Sequence, residues 1–111
     1  MLLPLALRAH LRRNADLSAI SEQDHRPVVK LFTLDAQATW LFTELAADGD
    51  TLFGLCDLGH GSPELGYASL SEIQTLRGPL RLLVERDRHF RADRSLSEYA
   101  GEARLRGRIV A

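Results

Sequence analysis

With 111 residues, 45% of them hydrophobic and 26% charged, the chain has the size and composition of one globular domain able to close its own core. A single cysteine, Cys56, excludes an internal disulfide and a multi-cysteine zinc site within one chain, so a reducing, cytoplasmic setting is the expectation. Net charge is only −1, yet no Lys or Arg lies between Lys30 and Arg77, whereas nine arginines and five acids follow from Arg77 onward; such a division bears on partners rather than on fold.

The opening run MLLPLALRAHLRRN carries its arginines after a short apolar stretch, the reverse of a signal peptide. No stretch approaches the roughly 20 apolar residues of a membrane span, so no membrane partner is expected. A first helix is predicted from Pro4 to about Ala15, with proline tolerated in the first turn and Leu7 and Leu11 facing the core. Residues 16–26 are polar and read as a loop or ragged helix end. Strands are expected at Val28–Thr33, at Thr39–Leu45 with Trp40, Phe42 and Glu44 on one face, at Thr51–Leu58, and at Leu65–Ala68. Asp48-Gly49-Asp50 is a hairpin-type turn, and three strands in sequence with short connections argue for an antiparallel meander.

A short helix is predicted over Leu70–Arg77, with Gly78 in the left-handed C′ position and Pro79 preventing continuation. Leu82–Phe90 reads as a further strand. The tail from Leu96 to about Arg106 reads as a helix with Tyr99 on its apolar side, although Gly101 and Gly107 weaken the pattern. Ser-Leu-Ser-Glu occurs at 69–72 and again at 95–98, and both copies fit a capping box. The fold class is α+β: a small antiparallel sheet of four or five strands with an N-terminal helix, a short helix near 70–77 and a C-terminal helix. It forms a single domain, with a helix-and-loop lead-in at 1–26, a sheet core at 27–90 and a helical tail at 91–111.

Candidate sites are sparse. Asp57, His60 and Glu64 share a Gly-rich loop, where carboxylate and imidazole can hold a metal. No motif fixes their geometry, and a polar loop with positive-φ glycines is the preferred reading, so no metal site is expected. Glu85, Asp87 and His89 alternate along the Leu82–Phe90 strand; carboxylates on one face can do acid–base work, but a solvated strand face is preferred. Cys56 has no cationic neighbour in sequence and reads as a small buried hydrophobe. The serines lack a Gly-x-Ser-x-Gly setting, and no phosphate-binding glycine loop is present, so neither catalytic residues nor a cofactor is expected. Trp40, Phe42 and Phe53 could stack bases, but their segment carries only acids, and core packing is preferred.

An ordered series of motifs runs through almost the whole chain. It begins with Pro27-Val28-Val29-Lys30-Leu31-Phe32-Thr33, Ala38-Thr39-Trp40-Leu41-Phe42-Thr43-Glu44 and Phe53-Gly54-Leu55-Cys56-Asp57-Leu58-Gly59. Pro63-Glu64-Leu65-Gly66-Tyr67, Ser69-Leu70-Ser71-Glu72, Leu76-Arg77-Gly78-Pro79-Leu80 and Val84-Glu85-Arg86-Asp87 follow. The series resembles the domain-of-unknown-function family twenty-nine fifty-eight, small proteins common on bacterial plasmids and integrating conjugative elements. The resemblance implies an accessory protein of mobile DNA and supplies no catalytic residues. The chain departs from the family at Arg81-Leu82-Leu83, where Gly-Leu-Pro is common, and at Arg88, where an apolar residue is usual. Both departures imply a changed surface near 81–88.

The expected function is therefore a non-enzymatic accessory protein acting through protein–protein contacts, with a nucleic-acid-binding host or element protein as one class of partner. The contact residues would be the acids Glu44, Asp48, Asp50, Asp57, Glu64, Glu85 and Asp87. Two alternatives stand beside it: an anti-CRISPR or anti-restriction inhibitor presenting the acid-only region to a basic groove, and a small enzyme using Glu44, Asp57, Glu85 or Asp87. Direct DNA contact through Arg104, Arg106 and Arg108 is a subsidiary reading.

Overall fold

A computed structural model describes residues 2–111; Met1 lies outside them. Helix α1 (Leu5–Ile20) precedes strands β1 (Val29–Thr33), β2 (Thr39–Leu45), β3 (Thr51–Asp57) and β4 (Glu64–Ser69). Helix α2 (Leu70–Thr75), strand β5 (Val84–Arg86) and helix α3 (Leu96–Arg106) complete the chain. The five strands form one antiparallel sheet in the order β4-β3-β2-β1-β5. The first four make a meander, one strand longer than the three expected, and β5 returns to the outer side of β1. Among the described residues no helix is long and apolar enough to cross a membrane.

Both faces of the sheet are covered. Leu31, Trp40, Phe42 and Leu52 pack with Leu3 and Leu11 from the N-terminal segment and with Leu70 and Ile73 of α2. Leu41 and Leu55 point to the opposite face, as strand alternation requires, and pack under Leu96, Tyr99, Ala100 and Ala103 of α3. Gly54 belongs to the β2–β3 contact. A Cβ there would lie 1.9 Å from Leu41 O and 2.8 Å from Phe42 Cα, both rigid backbone atoms. Immediately beside it the pairing slips at Thr43, between Phe42 and Glu44. That bulge breaks the expected alternation, so Glu44 does not continue the face of Trp40 and Phe42. The Thr43 carbonyl accepts instead from the buried Asn14 Nδ2 of α1 at 3.0 Å, and Arg12 Nη1 donates to Leu45 O at 2.7 Å.

Three boundaries differ from expectation. α1 continues past Ala15 to Ile20, because its polar last turns find partners: Asp16 pairs with Arg12 one turn earlier in the same helix, and Ser18 donates to Glu44 of β2. The second helix stops at Thr75, and Gly78 is not left-handed. Its missing Cβ makes room for the Asp35 carboxylate, whose Oδ1 would lie 1.9 Å from a Cβ. The strand predicted over Leu82–Phe90 is ordered as strand only at Val84–Arg86. Arg81, at φ 63, sets its start, and the Asp87 carboxylate ends it by accepting from His89 N at 2.9 Å. The Ser-Leu-Ser-Glu repeat is a full capping box at 95–98, whereas at 69–72 only the Ser69 half is made. Gly107 is the left-handed cap of α3, at φ 72.

Replacing Gly54 with Ala should destabilise the fold by about 3 kcal/mol through forced overpacking between two backbones. The shift of the urea unfolding midpoint measures it.

Candidate functional site

The register places Lys30, Phe32, Thr39, Leu41, Leu55 and Asp57 on one sheet face, since Lys30 opposes Leu41, Phe32 opposes Thr39, and Thr39 opposes Asp57. α3 covers Leu41 and Leu55 and then ends at Gly107. The uncovered remainder is a cleft of about 680 Å³. Lys30, Phe32, Thr39 and Asp57 line it together with the β1–β2 turn, Gly59, Gly61 and the tail at 107–109.

Of the carboxylates singled out from sequence, Asp57 and Asp87 share this cleft, and Glu44 and Glu85 do not line it. The buried Asp57 has both oxygens engaged: Oδ1 accepts from Gly59 N at 2.9 Å and Oδ2 from Ile109 N at 3.0 Å. It fastens the tail to the end of β3. Asp87 lies 3.7 Å from the Lys30 ammonium, which also donates to Ala111 O at 2.8 Å. Glu85 is exposed on β5, beside a small groove lined by Leu2, Arg86 and Arg88. Glu44 accepts from Ser18 Oγ at 2.9 Å, within a polar cluster that includes His25 and Asn14. Glu64 and His60 are exposed, and no group of three His, Cys, Asp or Glu among the described residues could hold a metal.

Asp48 and Asp50 build the β2–β3 turn. Asp48 accepts from the Thr51 hydroxyl at 2.7 Å and from the backbone N–H of Asp50 and Thr51, both at 2.8 Å. These bonds, the Thr51 hydroxyl foremost, hold its pKa down to about 2. Asp50 accepts from Ser69 Oγ and Ser71 N, which ties the turn to the start of α2 and lowers the Asp50 pKa, Ser69 contributing most. Burial pushes the Cys56 thiol up, away from nucleophilic character.

Most of the arginines are exposed, and several bind the chain's own backbone. Arg8, Arg12, Arg77, Arg86 and Arg91 each donate to a backbone carbonyl. Arg94 binds Glu102 and lies over the Tyr99 ring, 4.5 Å from its centroid. All three predicted for nucleic acid are exposed; Arg106 lies 3.9 Å from Glu102, and Arg108 also lines the cleft.

Two carboxylates that sequence reasoning passed over prove central. Asp24 accepts from Ser97 N and Ser97 Oγ, which docks the lead-in on α3 and lowers its pKa, the Ser97 hydroxyl contributing most. Asp35 Oδ2 accepts from Leu80 N at 2.7 Å and Leu82 N at 3.3 Å, latching the segment between α2 and β5 onto the β1–β2 turn. Its Oδ1 is buried without a partner. The segments joined there display Leu34, Leu76, Leu80, Leu82 and Leu83, each between 41% and 74% exposed. The one sequence signal for this arrangement was Gly78-Pro79, which also fits a helix stop.

The model of the family described as "Protein of unknown function (DUF2958)" matches residues 2–110. The chain belongs to that family. No curated protein and no solved structure matches it.

Two outcomes follow from the carboxylate geometry. The Asp48 value lies below its ordinary 3.8, so its contribution to stability is full above pH 3.8 and disappears as pH falls toward about 2. Asp48→Asn should therefore flatten the thermal midpoint's dependence on pH across that window. Asp57→Ala leaves the N–H groups of Gly59 and Ile109 without their acceptor and should destabilise the fold by about 2 kcal/mol. Amide exchange should accelerate at Ile109 first.

Proposed function

We propose that the chain is a non-enzymatic binding domain acting through protein–protein contacts, as an accessory protein of a bacterial mobile genetic element. The observation that carries the binding role is the leucine platform around Asp35. Five exposed leucines lie on two short segments that Asp35 holds together, and exposed apolar side chains gathered on a folded domain mark interaction sites. The platform is built rather than incidental. A carboxylate grips two of its backbone N–H groups, and a glycine is needed to admit that carboxylate. A rigid apolar surface loses little conformational entropy on docking. Arg77 and Arg81 give it a cationic component.

The family resemblance supports the mobile-element setting. The departure at Arg81-Leu82-Leu83 falls within the platform, which supports a partner preference particular to this chain. Arg81 keeps a positive φ of 63, a conformation that costs a non-glycine residue about 1 kcal/mol and that glycine adopts freely.

Inhibition of a defence nuclease by the acid-only region has less to draw on. Asp48, Asp50 and Asp57 are engaged in holding turns and the tail together, so their charges are only partly available to a partner.

Affinity capture from lysate of a bacterium carrying the element tests the reading. The wild-type chain should retain a defined protein. A Leu80→Asp/Leu83→Asp chain should lose it while keeping its circular dichroism and melting temperature. Equal retention by both chains, or no specific retention by either, would count against the platform.

A further inference from the structure

The two edges of the sheet differ. β5 pairs over three residues and is flanked by Arg81 and Arg88. β4 pairs with β3 over six residues, and its outer side receives no backbone hydrogen bond among the described residues. Edges of this length are usually protected by lysine, proline, a bulge or a covering element. β4 contains no lysine or proline, its register with β3 is unbroken, and its one charged residue is Glu64. Leu65 and Tyr67, on alternate positions, are exposed at 40% and 74%. They lie on the same face as Phe53, whose ring centroid is 5.1 Å from that of Tyr67. A strand laid along β4 would meet both a row of backbone donors and acceptors and an apolar strip on one face.

Charge selects the occupant. From residue 31 to residue 76 the chain contains no Lys or Arg, and β4 lies inside that stretch. Glu64 and Glu72 are exposed, and neither forms an ion pair among the described residues.

We propose that β4 is a docking edge for an extended segment of another protein, which adds a sixth strand to the sheet. That segment carries apolar side chains at alternate positions, to meet Leu65 and Tyr67, and Lys or Arg on its flanks. The proposal rests on the reading of the chain as a protein-binding domain, but it uses a surface separate from the leucine platform. A second copy of the chain is the poorer occupant, because it would bring the same acids against one another.

Fluorescence anisotropy with the whole chain tests this, using three synthetic peptides of alternating valine and threonine. One is flanked by lysines, one by glutamates, and one is lysine-flanked with prolines replacing two valines. At low salt the lysine-flanked peptide should bind about tenfold more tightly than its glutamate-flanked twin. It should also slow amide exchange across residues 64–69. The proline-broken peptide should not bind. Leu65→Thr/Tyr67→Thr should weaken binding about tenfold at unchanged melting temperature. Leu80→Asp should leave peptide binding unchanged, which separates failure here from failure of the platform reading. Equal binding of the intact and proline-broken peptides would overturn strand addition. Equal binding of the lysine- and glutamate-flanked peptides would overturn the basic occupant. The proposal also falls if no peptide binds at millimolar concentration, or if the chain sediments as a dimer that Leu65→Thr/Tyr67→Thr dissociates.

Discussion

Only a hydrogen atom fits where Gly54 passes β2. Both hydrophobic cores hang on that close approach, because Trp40 and Phe42 project from one side of β2 and Leu41 from the other. The adjacent bulge at Thr43 turns one backbone carbonyl out of regular pairing. A buried carbonyl needs a donor, and Asn14 supplies it from α1. One irregularity in the central strand pair thus also fixes where the first helix sits. The polar Asn14 is buried because the sheet requires it there.

Carboxylates repeat the same logic at longer range. Asp24 reaches α3, Asp35 reaches the segment before β5, Asp50 reaches the start of α2, and Asp57 reaches the tail. Each accepts from backbone N–H groups that no strand or helix satisfies, and each joins segments far apart in sequence. Much of the acid-only stretch is therefore internal wiring, and several arginines cap carbonyls in the same manner. The uneven charge distribution describes the fold as much as it describes a partner. What remains outward-facing is simpler: a leucine surface with arginines at one place and an apolar edge in acidic surroundings at another.

The meander and the helix positions were legible because hydrophobic periodicity and turn residues agree over long stretches, whereas the place of β5 beside β1 was not. Leu11, Trp40, Phe42 and Tyr99 are buried as their spacing implies. The misjudged features were those decided by tertiary bonds. α1 runs on past Ala15 because Glu44, far off in sequence, receives Ser18. The stretch 82–90 has strand-like composition but breaks after three residues, where Asp87 turns back on His89. Gly78 looked like a helix cap and serves as a space for Asp35. No local pattern announces that Asp35 will grip residues some forty-five positions away. The candidate site was legible only in part: Asp57 and Asp87 do line one cleft, but Leu76 falls in the expected helix and Leu82 and Leu83 in the expected strand, so no pattern marks them as exposed, and the vulnerability of β4 depends on its being last in the sheet.

Lys30 is the only lysine among fourteen basic residues. Its ammonium joins the Ala111 carbonyl and lies near Asp87, at the wall of the cleft beside α3. Amine-directed reagents therefore have a single side-chain target in this molecule, and that target reports on the tail. Reductive methylation or acylation of Lys30 would signal tail release without any engineered probe. The chain carries a built-in label at the point where its last residues close over the sheet.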